Sequence, residues 1–183
     1  MNIIRATHLG MCFGVRDAIT LALDRAQQTP LTIYGELVHN QAVLDTLRNS
    51  GILIESEPSA IKTDTVMITA HGSSDMAIGG LINRGLSVIE ATCPLVRVAH
   101  RAIRNLVESG YHPVVVGRRG HVEVRGLTED LPEFDIVLTD ADVQSLRERP
   151  RFGVAAQTTQ PIERVRELVN LIRCRFPNSE VRF

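Results

Sequence analysis

Short apolar runs alternate with amphipathic segments along the whole chain, and the two periods predict different elements. Continuous apolar runs predict strands at 3–4, 31–34, 65–69, 87–89, 113–116, 135–138 and 152–155. Between them, Val15, Ala18, Ile19, Ala22 and Leu23 follow a helical stripe, and Leu95, Val98, Ala99, Ala102, Ile103 and Leu106 repeat it. Val165, Leu168 and Ile172 mark a further helix. Pro94 suits the first turn of the Leu95 helix, and Gly110 suits the cap after it. Strands alternating with helices predict an α/β fold of parallel units with right-handed crossovers. The only loop-rich stretch is 55–64, so no linker divides the chain. The rhythm of strands and helices completes one small sheet near Cys93 and begins another. That predicts two tandem units, 1–94 and 95–183, related as a distant structural repeat without a visible sequence repeat.

Composition narrows the function. The chain has 183 residues, 44% of them hydrophobic, and a formal charge of -1, which excludes the basic excess of a protein built to grip nucleic acid. Aromatic residues are scarce and Trp is absent, so base-stacking surfaces are not expected. No window reaches the roughly 18 apolar residues of a membrane span, and the first residues lack a signal-type apolar stretch. A cytoplasmic location follows, with no membrane partner. Cys12, Cys93 and Cys174 are too few and too scattered for a disulfide framework, and none forms a Cys-x-x-Cys pair. In a reducing compartment they are thiols or metal ligands.

Position along the fold says more than counting. In open α/β sheets, ligands bind beyond the carboxyl ends of the strands, where helix N-termini also point. Cys12, His39, His71, Cys93, His121 and Thr158 each fall just after a predicted strand. Cys93 stands at the N-cap of the Pro94 helix, and Cys12 precedes the Val15 helix by the step Phe13-Gly14. Such positions favour a thiolate that binds iron or zinc, although a small buried hydrophobe is the alternative for each. His39 and His71 precede helices, and with His121 they suit an anion pocket sized for a diphosphate. Glu123 lies two residues from His121, placed for proton delivery if burial raises its pKa. His8, His100 and His112 read as surface, helix and loop residues without a role. Arg118-Arg119-Gly120 reads as a solvated basic loop, and neither Gly14 nor Gly79-Gly80 forms a phosphate-loop or dinucleotide fingerprint.

Taken together, Gly10-Met11-Cys12-Phe13-Gly14-Val15-Arg16-Asp17-Ala18-Ile19, Glu36-Leu37-Val38-His39-Asn40, Ala70-His71-Gly72, Ala91-Thr92-Cys93-Pro94-Leu95-Val96, Gly120-His121-Val122-Glu123-Val124-Arg125-Gly126 and Gln157-Thr158-Thr159 carry a resemblance. In order and spacing they resemble the 4-hydroxy-3-methylbut-2-enyl diphosphate reductase (LytB-like) family. The resemblance implies an iron-sulfur oxidoreductase of the methylerythritol phosphate route to isoprenoids, making isopentenyl and dimethylallyl diphosphate by reductive dehydroxylation. It implies a trefoil-like fold of three α/β units, of which this chain resembles the first two. Cys12 and Cys93 match two of the three ligands of a 4Fe-4S cluster. His39, His71 and His121 match the diphosphate-binding histidines, and Glu123 and Thr158 match the acid and the hydroxyl beside the substrate's alcohol. An external electron donor such as ferredoxin or flavodoxin is implied as well.

Three departures stand out. The third unit, with its third cluster cysteine, is missing from the sequence, and Arg175-Phe176-Pro177 resembles the lead-in to that unit's first strand. Cys174 falls late in the Val165 helix and does not match the third ligand. His121-Val122-Glu123 stands where the family has His-Pro-Glu. Three readings follow: a short reductase homologue, a reductase completed in trans by a C-terminal-domain partner or a homodimer, and a redox-inactive diphosphate-binding or regulatory module. Completion in trans predicts a large exposed apolar patch. A zinc hydrolase built on His39, His71 and Glu123 is a fourth option.

Overall fold

Val114, Val115 and Val116 are each fully buried, as expected when a parallel strand is covered on both faces and the sequence reads as a continuous apolar run. The computed structural model describes residues 10–38 and 40–183, so the strand expected at 3–4 and His39 lie outside the described residues. The elements are α1 (Phe13–Ala26), β1 (Leu31–Tyr34), α2 (Gln41–Asn49), β2 (Leu53–Glu55), β3 (Thr65–Ile68), α3 (Asp75–Asn83), β4 (Ser87–Glu90) and α4 (Pro94–Glu108). They continue with β5 (His112–Val116), α5 (Val122–Thr128), β6 (Asp135–Val137), α6 (Asp140–Ser145), β7 (Arg151–Ala156), α7 (Ile162–Arg175) and β8 (Glu180–Arg182). The other six expected strands are all present. Two more, β2 and β8, are three-residue edge strands that the sequence pattern does not mark. The lead-in at Arg175-Phe176-Pro177 therefore opens onto β8, which pairs with β7 inside the second sheet.

The strands form two four-stranded sheets of the same order, β2-β1-β3-β4 and β6-β5-β7-β8, with every pairing parallel. In each sheet the chain steps first to one side and then to the other. This places a switch point between β1 and β3, and another between β5 and β7, where loops diverge and leave a crevice. One face of the first sheet packs Leu31, Ile33 and Met67 against Ala18 and Ala22 of α1 and Leu44 and Leu47 of α2. Its other face packs Val66 and Ile68 against Leu81 of α3. In the second sheet, Val114 and Val116 meet Val165, Leu168 and Ile172 of α7, while Val115 meets Ile103 of α4 and Leu127 of α5. Each such fully buried side chain contributes roughly 1.5–3 kcal/mol relative to exposure. Among the described residues no helix is long and apolar enough to cross a membrane.

A polar joint locks the two lobes together at the N-terminus of α3. Ser74 caps its own helix by accepting from the Ala77 N–H at 3.1 Å, and its hydroxyl donates to Glu129 Oε2 of the other lobe at 2.6 Å. Asp130 accepts from the backbone N–H groups of Asp75 (2.6 Å) and Met76 (2.9 Å). These are orphan donors of the first helical turn, and a carboxylate there also meets the positive end of the helix dipole. Arg104 of α4 holds the Asp75 carboxylate at 2.6 Å. Loss of such a cap typically costs about 1 kcal/mol and at most about 2. Asp130→Ala is expected to lower urea stability by about that amount and to speed hydrogen exchange at the Asp75 and Met76 amides; Asp130→Asn, still an acceptor, loses less.

Candidate active site at the strand ends

Both lobes present their chemically capable residues beyond the carboxyl ends of the strands. At one end stand two thiols. Cys12 is the N-cap of α1 itself, exposed, with Phe13 and Gly14 already helical; the expected glycine step before the helix is instead its first turn. Cys93 is the N-cap of α4, with Pro94 opening the helix, as the sequence predicts. Neither sulfur is spent on a cap hydrogen bond. The Cys93 N–H donates to the Ala70 carbonyl at 3.0 Å, which ties the thiol's backbone to the segment leading into His71. A Cβ on Gly14 would stand 2.6 Å from Cys93 Sγ and 3.0 Å from its Cβ. The absent side chain at Gly14 is therefore the space the Cys93 side chain occupies, two residues along α1 from Cys12.

At the other end stand two histidines, a carboxylate and a hydroxyl. His71, between β3 and α3, and His121, the N-cap of α5, meet edge to face across the lobes with ring centroids 5.6 Å apart. His121 Nδ1 accepts from the Glu123 N–H at 3.1 Å, so the neutral ring carries its proton on Nε2. Glu123 is 1% exposed. Its Oε1 accepts from the Thr158 N–H at 2.6 Å, and Thr158 Oγ lies 3.1 Å from Oε2, so one residue engages both carboxylate oxygens. Gln157, also buried, holds the loop before Thr158. Its side-chain oxygen accepts from the Arg118 N–H at 3.0 Å and its amide donates to Thr159 Oγ at 3.0 Å. Gly117 permits this closeness: a Cβ there would meet Val124 at 2.6 Å and Gln157 at 3.0 Å.

His112 differs from its sequence reading, and His100 is helical as expected but packed. His112 opens β5 with a nearly buried side chain 2.8 Å from Asp135, because the carboxylate that holds it comes from the next strand. His100, on α4, lies between the lobes beside Gly72 and Gly126. Burial pushes its imidazole below the ordinary value of 6.5; Arg104 acts in the same direction, while Asp75, Asp130 and Glu90 oppose it. Cys174 is exposed on α7, away from the strand ends. Among the described residues no group of three or more His, Cys, Asp or Glu side chains is gathered as a metal site.

A family model described as LytB protein matches residues 3–183. The chain belongs to the LytB family. It is 35% identical over 178 residues to the 4-hydroxy-3-methylbut-2-enyl diphosphate reductase of Aquifex aeolicus, covering 94% of this chain and 62% of that protein. The reductase of the same name from Macrococcus caseolyticus is 34% identical over 195 residues, with 99% of this chain and 61% of the relative covered. This LytB chain thus spans about three-fifths of the length of the curated relatives it matches. Its fold superposes on the Plasmodium falciparum E-1-hydroxy-2-methyl-but-2-enyl-4-diphosphate reductase with a TM-score of 0.86 at 26% identity, covering 94% of this chain and 56% of that one. A second structure, of an (E)-4-hydroxy-3-methyl-but-2-enyl diphosphate reductase, gives 0.84 at 34% identity, with 98% and 66% covered.

Two outcomes test the geometry of this LytB site. Helix propensity alone makes Gly14→Ala stabilising by about 1 kcal/mol. The Cys93 contact reverses the sign, so a net loss of about 1–2 kcal/mol is expected, with faster labelling of Cys93 by a thiol reagent. For His100 the folded value lies below the unfolded one, so above 6.5 both states are neutral and no stability is lost. As pH falls from 6.5 towards the depressed value, only the unfolded chain takes the proton and stability drops. Denaturation of wild type and His100→Gln across pH should show that limb in the wild type and its absence in the variant.

Proposed function

We propose that this chain supplies the diphosphate-binding and proton-delivering part of a 4-hydroxy-3-methylbut-2-enyl diphosphate reductase, built as two tandem α/β units, 1–94 and 95–183. The observation that carries the reading is the meeting of His71 and His121 across the lobes with the buried Glu123–Thr158 pair behind them. The names of the relatives support it. In the reaction the allylic C–O bond breaks, two electrons and two protons enter, and water leaves with isopentenyl or dimethylallyl diphosphate. This is a cytoplasmic step of isoprenoid biosynthesis by the methylerythritol phosphate route, fed by an external donor such as ferredoxin or flavodoxin.

The chain's own residues take the following parts. His39, His71 and His121 hold the diphosphate. The orientation of His121 aims an N–H donor away from α5, as an anion requires. Glu123 serves as the proton donor to the departing hydroxyl, and Thr158, whose hydroxyl donates to Glu123 Oε2 at 3.1 Å, stands beside it to pass protons on. Cys12 and Cys93 fit as cluster donors, since both sulfurs are unspent at helix caps on one rim. A 4Fe-4S cluster held there would supply the electrons and an open iron for the alcohol oxygen. Two thiols are one short of the three-cysteine set, and a third donor from outside these 183 residues would complete it.

An apolar groove is the surface on which a further body would dock. It encloses about 750 Å³ between α4 and the β7–β8 side of the second sheet, and half-exposed Leu95, Val98 and Phe183 line it. Thr158 stands at its border. A patch of this kind is what a docked body would cover. The remaining reading, a redox-inactive diphosphate-binding or regulatory module, keeps the histidines without the cluster.

Anaerobic reconstitution with iron and sulfide separates these readings. The reductase reading expects brown protein, approaching about four irons per chain once a third donor is present, and loss of colour in Cys12→Ala or Cys93→Ala. Inorganic pyrophosphate should bind the wild type and weaken by about tenfold in His121→Ala, as loss of a charge-assisted contact predicts. Glu123→Gln should keep iron and pyrophosphate binding and abolish turnover of the completed enzyme. Colourless protein that still binds pyrophosphate would favour the regulatory module.

A further inference from the structure

We infer that His100 is a positioning residue: its ring is the wedge that sets how the His71 turn of one lobe stands against the α5 segment carrying His121 and Glu123 of the other. The inference rests on the reading of His71 and His121 as diphosphate contacts. It adds a residue that touches neither the diphosphate nor the reacting carbon.

The geometry comes from two glycines distant in sequence. Gly72 follows His71 directly and takes a positive φ of 76°; a Cβ there would stand 3.3 Å from His100 Nε2. Gly126 lies on α5, and a Cβ there would stand 3.6 Å from His100 Cε1 and Nε2 and 3.5 Å from the Ser73 backbone. The ring therefore sits where both backbones come close, about two helical turns along α4 from Cys93. Shortening it removes the spacer between the His71 turn and α5.

Polarity argues that more than bulk is retained. His100 Nε2 is buried and has no hydrogen-bond partner among the described residues. An unpartnered ring nitrogen is disfavoured there relative to an apolar side chain of similar size such as leucine. Clefts of about 250 and 210 Å³ flank the ring, and Asp75 and Arg104 line both of them. The charged groups around it are Asp75 of α3, Glu90 of β4, Arg97, Arg101 and Arg104 of α4, and Asp130 beyond α5. Burial lowers its pKa and so favours the neutral ring among them. A neutral imidazole can separate the lobes there without unbalancing the Arg104–Asp75 pair or the Asp130 cap.

The test uses the full chain with isotope-labelled histidine. In the unliganded protein, His100→Ala should shift the ring C–H resonances of His71 and His121 and change their titration. It should also weaken inorganic pyrophosphate by about tenfold or more, as small misplacements of binding groups do. His100→Gln, which keeps length and polarity, should restore most of both. If His100→Ala does not fold, His100→Asn carries the same expectations at smaller size. A variant that is merely less stable, with both resonances and the affinity of the folded fraction unchanged, overturns the inference. If neither wild type nor His121→Ala distinguishes pyrophosphate, the diphosphate reading fails, and the resonances alone decide the wedge: unmoved, they overturn it too.

Discussion

The arrangement of the candidate site depends on one helix of the first lobe being capped by a carboxylate of the second. Asp130 accepts from the opening N–H groups of α3, and Glu129 takes the hydroxyl of its N-cap serine. Covalently the lobes are joined through α4, a connection that leaves orientation open. The cap removes that freedom, because both acceptors sit just beyond α5 while the donors sit just beyond the His71 loop. These polar groups, close to His71 in sequence and at the far end of α5 from His121, hold the lobes together while the His100 ring spaces the His71 turn from α5. Such a joint is directional, unlike a purely apolar contact, and tolerates little sliding before its short hydrogen bonds break.

Within each lobe the same strand order solves the same problem. A switch point opens a crevice at the carboxyl edge, and the residues that follow the two central strands line it. The second lobe contributes the His121 and Thr158 loops from β5 and β7, and the first contributes His71 from β3. Because the edges face each other, the chemistry is divided: thiol-bearing helix caps belong to α1 and α4, and the buried acid belongs to α5. No single lobe holds the whole set.

Much of this was legible in the chain. The central strands announced themselves because they are buried on both faces, and Pro94 and Gly110 bracketed α4 correctly because each satisfies a backbone requirement of a helix end. The edge strands β2 and β8 were not legible: each is three residues long and ends on a charged residue, whereas the equally short β6 lies in the apolar run 136–138. The start of α1 was misplaced by two residues, because glycine reads as a break in sequence while Gly14 is helical for the sake of Cys93. His100 gave no signal at all. Its surroundings are made by residues 72 and 126, and only folding brings those glycines to one imidazole. His112 was missed in the same way, its partner Asp135 arriving from a neighbouring strand.

Thr158 belongs to two surfaces at once. Through its N–H and hydroxyl it grips the buried carboxylate, and through its outer side it borders the apolar groove along α4. A body seated in that groove and a molecule held near Glu123 would share a residue, and any coupling between them would run both ways. Whatever factor the first imposes on the affinity of the second, the second returns to the first.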